Sequence, residues 1–265
     1  MRRIFSVLFW SFFAISGLAY FLVACLLWLV TLPFDPQRRI NHFWSCVWAS
    51  TYTYIFPGWS VRVTGRELIQ KGQAYVLVAN HTSIADIVLL FALFRQFKWV
   101  SKTAVFKYPL LGWNMSLSKY VPLERGDKAS IERMLDTCRA WLRGGMSVLM
   151  FPEGTRSRDG RLQNFKHGAF TLAKDTGVPV VPIAIHGGHL VIPKNQGTFA
   201  PKADLWVQVL PPIASEGLDL ERLSAASRQA IATALSKGPA PVPADEPAPA
   251  EARPAEVRSS SLPSR

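Results

Sequence analysis

His81 and Asp86 bracket the stretch Asn80-His81-Thr82-Ser83-Ile84-Ala85-Asp86, with four residues between them. A second polar island, Phe151-Pro152-Glu153-Gly154-Thr155-Arg156, closes another apolar run downstream. An imidazole with a carboxylate to orient it is a general base. A tight turn carrying a carboxylate and a guanidinium adds polar contacts and a fixed cation. Together these groups can take a proton from a hydroxyl that lies beside an anionic group. His81 can do so only if one ring nitrogen is free and the ring is held. Asp86, taking the other ring N–H, would fix the tautomer and stabilise the imidazolium as it forms. The plainer alternative is that His81 closes a turn and Asp86 caps a helix. His-x-x-x-x-Asp is a loose pattern, and the two readings weigh about evenly until the second island is counted.

Elements must bring these islands together. From Trp59 to about Pro212, short apolar runs alternate with amphipathic helical patterns. The expected strands are Ser60–Val63, Tyr75–Ala79, Phe97–Ser101, Tyr120–Leu123, Ser147–Phe151, Val180–Ile185 and Leu205–Leu210. All are rich in Val, Ile, Leu and aromatic residues, and most are bounded by Gly, Pro or Asn. The clearest helix is Ser130–Arg143, where Ile131, Leu135, Cys138 and Leu142 recur at helical spacing before Gly144-Gly145. Others are expected over Ile87–Phe94, with Ser83 or Asp86 near its N-cap, over Phe165–Lys174, which would contain His167, and over Leu218–Leu235. Alternation of this kind predicts an α/β fold, a mixed and largely parallel sheet flanked by helices. In such sheets, sites gather beyond the carboxyl ends of the strands. His81, Glu124-Arg125 and Glu153 to Arg156 each follow an expected strand, so the three polar islands can share one edge.

Composition narrows the partners. The chain has 265 residues, 30 basic against 18 acidic, and a formal charge of +12. That favours a polyanion, either nucleic acid or an anionic membrane. Nine Trp and sixteen Phe fit contact with lipid better, and no zinc spacing, RNP-like motif or basic heptad helix speaks for nucleic acid. The three cysteines, Cys25, Cys46 and Cys138, are far apart and odd in number, which argues against a disulfide framework or a metal site. His186-Gly187-Gly188-His189 has no carboxylates at ligand spacing and is expected to be a turn near the site rim.

No charged residue follows Arg3 until Asp35, and the run from Ile4 to Leu32 is long enough for a membrane helix. It is too long for a signal peptide and lacks a small-x-small cleavage site. Leu22-Val23-Ala24-Cys25 has the form of a lipoprotein cleavage box, but the apolar run continues past Cys25. A retained anchor over residues 1–34 is therefore expected, with a spanning or a shallow, re-entrant helix both open. Residues 35–58 are aromatic-rich and read equally as an interfacial amphipathic helix or as a helix packed on the domain. The Lys/Arg excess after residue 37 predicts a domain on the cytoplasmic face of a bacterial inner membrane. The catalytic domain is expected over 59–237. A Pro/Ala-rich tail over 238–265 is too polar to offset its ordering entropy and is expected to be disordered.

Four blocks in this order resemble the glycerophospholipid acyltransferase family, the group containing the 1-acyl-glycerol-3-phosphate acyltransferases. They are Asn80-His81 through Asp86, Val121 to Arg125, Phe151 to Ser157, and Val178-Pro179-Val180-Val181-Pro182-Ile183. Lys102 to Gly112 is also similar to a family segment. The resemblance covers about residues 60–212; the first and third blocks are specific, the others weak. It implies acyl transfer from acyl-CoA or acyl-carrier protein to the free sn-2 hydroxyl of 1-acyl-glycerol-3-phosphate, giving phosphatidic acid. His81 would be the base and Asp86 its partner. Arg125 would bind the acceptor phosphate, Glu153, Gly154, Thr155 and Arg156 would complete that site, and Val181, Pro182 and Ile183 would shape the acyl or donor side. Asn80, Ser83 and Lys102 join the expected substrate contacts. Thr82 departs from many relatives, which carry a longer polar residue there.

A thioester is already activated, so base catalysis, positioning and oxyanion stabilisation suffice, with no cofactor and no metal expected. Direct attack of the hydroxyl is expected, since Ser83 lies in no Gly-x-Ser-x-Gly elbow. Three rivals remain. They are O-acylation of another lysophospholipid or a lyso-ornithine lipid, a hydrolase or exported lipoprotein using Ser83, and a non-enzymatic lipid-binding protein.

Overall fold

A computed structural model describes residues 2–55, 58–157, 159–191, 200 and 202–238. The tail after 238 lies outside the described residues. Two helices come first, α1 (Arg2–Thr31) and α2 (Arg39–Tyr54), and then β1 (Trp59–Thr64), β2 (Val76–Ala79), α3 (Ala85–Phe91) and β3 (Phe97–Lys102). They are followed by α4 (Leu111–Leu117), β4 (Val121–Leu123), α5 (Lys128–Arg143), β5 (Ser147–Met150) and α6 (Gly168–Thr176). The chain continues through β6 (Val180–His186), α7 (Gly188–Val191), β7 (Ala203–Val209) and α8 (Leu220–Lys237).

Seven strands form one sheet in the order β1-β7-β6-β2-β5-β3-β4. Every pairing is parallel except β6 with β7. The alternation of side chains along each strand divides the core in two. Leu77 and Ala79 of β2 face the layer of α2, α3 and α4, in a cluster with Cys46, Leu89, Leu90 and Met115. Val76 and Val78 face α5, α6 and α8, with Met134, Cys138, Phe170 and Ile231. Both faces of β2, β5 and β6 are thus buried, which is why these strands read as unbroken apolar runs.

Parallel pairing from β6 through β4 sends five strand ends to one edge. The loops after β2, β3, β4, β5 and β6 therefore emerge side by side. Every expected strand is present, with ends shifted by up to two residues. Helix α3 begins at Ala85, two residues before the expected start, and neither Ser83 nor Asp86 is its N-cap. Ile84 holds that position and makes no side-chain cap.

Helix α2 buries Asn41, His42, Ser45, Cys46, Trp48 and Tyr52. His42 bonds Tyr120 Oη at 2.9 Å and the Arg95 carbonyl at 2.8 Å, so this face belongs to the domain. Its other side receives α1. Ser16 and Tyr52 hydroxyls lie 2.9 Å apart, Tyr20 and Thr51 hydroxyls 2.6 Å, and Asn41 Nδ2 donates to the Ala24 carbonyl at 3.0 Å. The opposite face of α1 exposes Ile15, Leu18, Leu22, Leu26 and Leu29. Within α1, Trp10–Thr31 is long and apolar enough to cross a membrane.

Candidate active site

The residue that leaves β2 decides the geometry. His81 Nδ1 lies 3.0 Å from Asp86 Oδ2, and both side chains are buried. The same Oδ2 accepts the backbone N–H groups of Thr82 at 2.6 Å and Ser83 at 2.7 Å. A carboxylate in the first turn of a helix also meets the favourable end of the helix dipole. The four intervening residues curl around this oxygen, which is how a strand-to-helix turn brings positions 81 and 86 together. On its flat side, the imidazole stacks on the Phe151 ring, with centroids 4.0 Å apart at 16°. Asp86 and Phe151 fix the ring, and among the described residues Nε2 has no hydrogen-bond partner. A ring held at Nδ1 with Nε2 open has the form of a general base.

Glu153 joins the two islands. Its Oε1 accepts the His81 N–H at 2.7 Å and its Oε2 the Gln163 N–H at 3.0 Å. Burial pushes its carboxyl above the ordinary range, opposed by these two donors. Ser157 N–H in turn donates to the His81 carbonyl at 2.8 Å. Both main-chain groups of His81 are therefore tied to the loop after β5. Gly154 sits at φ 69, a turn that glycine adopts without strain. The Lys166 ammonium passes over it, 3.1 Å from where a Cβ would stand.

An open cleft beside Phe151 is lined by Val100, Ser101, Lys102, Leu123, Arg125, Met150, Phe151 and Gly154. Lys102 and Arg125 are both exposed there; Thr155 follows Gly154 and is exposed, and Arg156 immediately precedes Ser157. The edge beyond His81 is thus basic: Lys102 from the end of β3, Arg125 after β4 and Lys166 after β5, with Arg156 in the same loop as Gly154.

Several expected contacts have other duties. Glu153 spends both oxygens on backbone amides and faces inward, so it braces the site instead of meeting a substrate. Asn80 clips β2 to β6, its Nδ2 donating to the Ile185 carbonyl at 3.0 Å and its Oδ1 accepting the Ile185 N–H at 2.8 Å. Ser83 is fully buried, and its Oγ accepts the Ala85 N–H at 3.2 Å, which removes it as a substrate contact. Val181, Pro182 and Ile183 lie in the middle of β6 and are buried; Val181 and Ile183 are core beside Leu77. Their apolar pattern reported a central strand.

His167 is not inside a helix but stands at the N-cap of α6. His186 ends β6, stacked on Trp206 at 4.6 Å. Sequence reasoning missed Lys166 and Phe151 as parts of the site. Phe151 read as the last apolar residue before the turn, and Lys166 fell unmarked inside the helix expected over Phe165–Lys174.

Residues 60–186 match the family model described as Acyltransferase. The chain is 41% identical over 191 residues to the chloroplastic 1-acyl-sn-glycerol-3-phosphate acyltransferase LPAT1 of Arabidopsis thaliana, covering 71% of this chain and 53% of that protein. A 1-acyl-sn-glycerol-3-phosphate acyltransferase of Chlamydomonas reinhardtii is 36% identical over 240 residues, covering 89% and 70%. Among solved structures, the 1-acyl-sn-glycerophosphate (LPA) acyltransferase PlsC of Thermotoga maritima superimposes with a TM-score of 0.75 at 26% identity, covering 89% of this chain and 97% of that one. The chain spans about half the length of the Arabidopsis relative.

Proposed function

The chain belongs to the acyltransferase family, and from that premise we propose that it transfers a fatty acyl group from a thioester to the sn-2 hydroxyl of 1-acyl-glycerol-3-phosphate, giving phosphatidic acid. The observation that carries this reading is the imidazole held at Nδ1 by Asp86 and left open at Nε2. Nε2 takes the hydroxyl proton as the hydroxyl oxygen bonds to the acyl carbonyl carbon. The C–S bond then breaks, and the departing thiolate recovers the proton from the imidazolium. Asp86 stabilises the charged ring in between. No acyl-enzyme is required, and the buried Ser83 supports direct attack.

The acceptor phosphate sits against the basic edge, where Arg125 and Arg156 offer planar forks and Lys102 and Lys166 point charges. Acyl-CoA and acyl-carrier protein both present the needed thioester. The acyl chains enter from lipid. Because α1 is bonded to α2 along Ser16–Ala24, and α2 is bonded into the domain, α1 is fixed as an outer layer of the molecule. Its apolar face is seated in one leaflet of the membrane, with the domain on the cytoplasmic side.

A panel of lysolipids, presented in vesicles with labelled acyl-CoA or acyl-carrier protein, tests the acceptor. Phosphatidic acid as the main product from 1-acyl-glycerol-3-phosphate supports the reading. Faster acylation of a lysophosphatidylcholine or a lyso-ornithine lipid would replace it.

A further inference from the structure

The turn after β6 carries a constraint that the chemistry above leaves unused. Gly188 opens α7, and a Cβ built on it would overlap Asp86 Oδ1, lying 3.2 Å from Asp86 Cγ and 3.3 Å from Thr82 Oγ1. Its backbone is outside the left-handed region, so the conformation itself would accept any L residue. Space alone demands glycine here. The carboxylate cannot retreat, because its other oxygen is held by His81 Nδ1 and by the N–H groups of Thr82 and Ser83. The turn cannot retreat easily either. Gly187 stands at φ 79, and a Cβ there would collide with the Asp204 carbonyl. Two immovable pieces thus meet at one missing methyl.

We propose that Gly188 is a positioning residue: its bare Cα sets how deep Asp86 sits, and through Asp86 it sets the aim of the His81 ring. This rests on His81 and Asp86 acting as base and partner. A packing role would cost stability and leave the kcat of the folded protein unchanged. A positioning role acts only through the carboxylate and disappears when the carboxylate is gone. Shortening Asp86 to Ala opens the volume that a Gly188 methyl needs.

The test is a double-mutant cycle on the full chain in vesicles, with Gly188→Ala, Asp86→Ala and the pair together. Turnover and KM for 1-acyl-glycerol-3-phosphate are measured, with thermal midpoints alongside. Gly188→Ala alone is expected to lower kcat at least ten-fold while KM stays within about two-fold. Added to Asp86→Ala, it is expected to change residual kcat and the thermal midpoint very little. If Gly188→Ala alone fails to fold, the glycine serves packing and the inference is overturned. An equal loss in both backgrounds, or an unchanged kcat in Gly188→Ala, overturns it. Full turnover by Asp86→Ala would instead overturn the base assignment itself, and this inference with it.

Discussion

One oxygen, Asp86 Oδ2, organises the reacting residue by accepting three N–H groups, two from the backbone and one from the ring. His81→Ala removes the proposed base, and the expected loss of turnover is about 100-fold or more. Ser83→Ala is expected to keep near-normal turnover, because its side chain is fully buried and its hydroxyl accepts the Ala85 N–H; a trapped acyl group on Ser83 would contradict direct attack. Lys166→Met removes a cation over the Gly154 turn without touching His81. It is expected to raise KM for the phosphate-bearing acceptor about ten-fold, as the loss of one charge-assisted contact implies, with kcat less affected. Steady-state kinetics on vesicles reads both parameters. At this scale the sequence was informative about identity and less so about duty. The spacing of His81 and Asp86 announced a strand-to-helix turn. Nothing in Pro152-Glu153-Gly154 revealed that Glu153 would reach back 72 positions to the His81 amide, since that bond exists only once β2 and β5 are neighbours.

The elements form a relay into the site from an unexpected direction. Arg228 of α8 donates to the carbonyls of Gln163 at 3.1 Å and Leu162 at 3.1 Å. Gln163 donates to Glu153, and Glu153 receives the His81 N–H. Arg228→Ala is therefore expected to lower kcat several-fold through a loosened 161–165 loop, although it lies outside the reacting groups. Removal of residues after about 240 should leave turnover intact, while a truncation that deletes α8 should abolish folding and turnover, because Leu223 and Ile231 are fully buried core. Assay of the two truncations side by side checks this. The seven strands were legible because Val, Ile and aromatic runs between Gly and Pro report a buried sheet directly. The entry into α3 was not, because Asp86 works from inside the first turn and Ile84, an apolar residue, holds the cap position. The Val181-Pro182-Ile183 run, given to the acyl or donor side by the family resemblance, also belongs to a strand buried on both faces, and its apolar pattern records that burial.

Across the whole molecule, the link between α1 and α2 is fastened to the sheet at the end opposite the site. Lys98, fully buried on β3, donates to the carbonyls of Gln37 at 2.6 Å and Ser118 at 2.7 Å, and its ammonium stands 4.7 Å from the Trp141 ring centroid. Burial pulls its pKa down to about 7. The unfolded chain, with an ordinary lysine, holds that proton up to about pH 10. Between those values the unfolded state binds more protons, so stability rises with pH from about 7 to 10, and below 7, where both states hold the proton, this lysine makes no further change. Thermal melts should show this rise in the parent and a weaker one in Lys98→Met. The formal charge of +12 adds a salt-sensitive attraction to anionic bilayers, and the apolar face of α1 adds a salt-insensitive one. That separation allows the central claim to be tested without confusing chemistry with adsorption. Parent and His81→Ala proteins, bound to equal extent on anionic vesicles, are given 1-acyl-glycerol-3-phosphate and a labelled acyl thioester, and phosphatidic acid is counted. The base assignment predicts rapid formation by the parent and a loss of about 100-fold or more in the variant; equal product from both would contradict it.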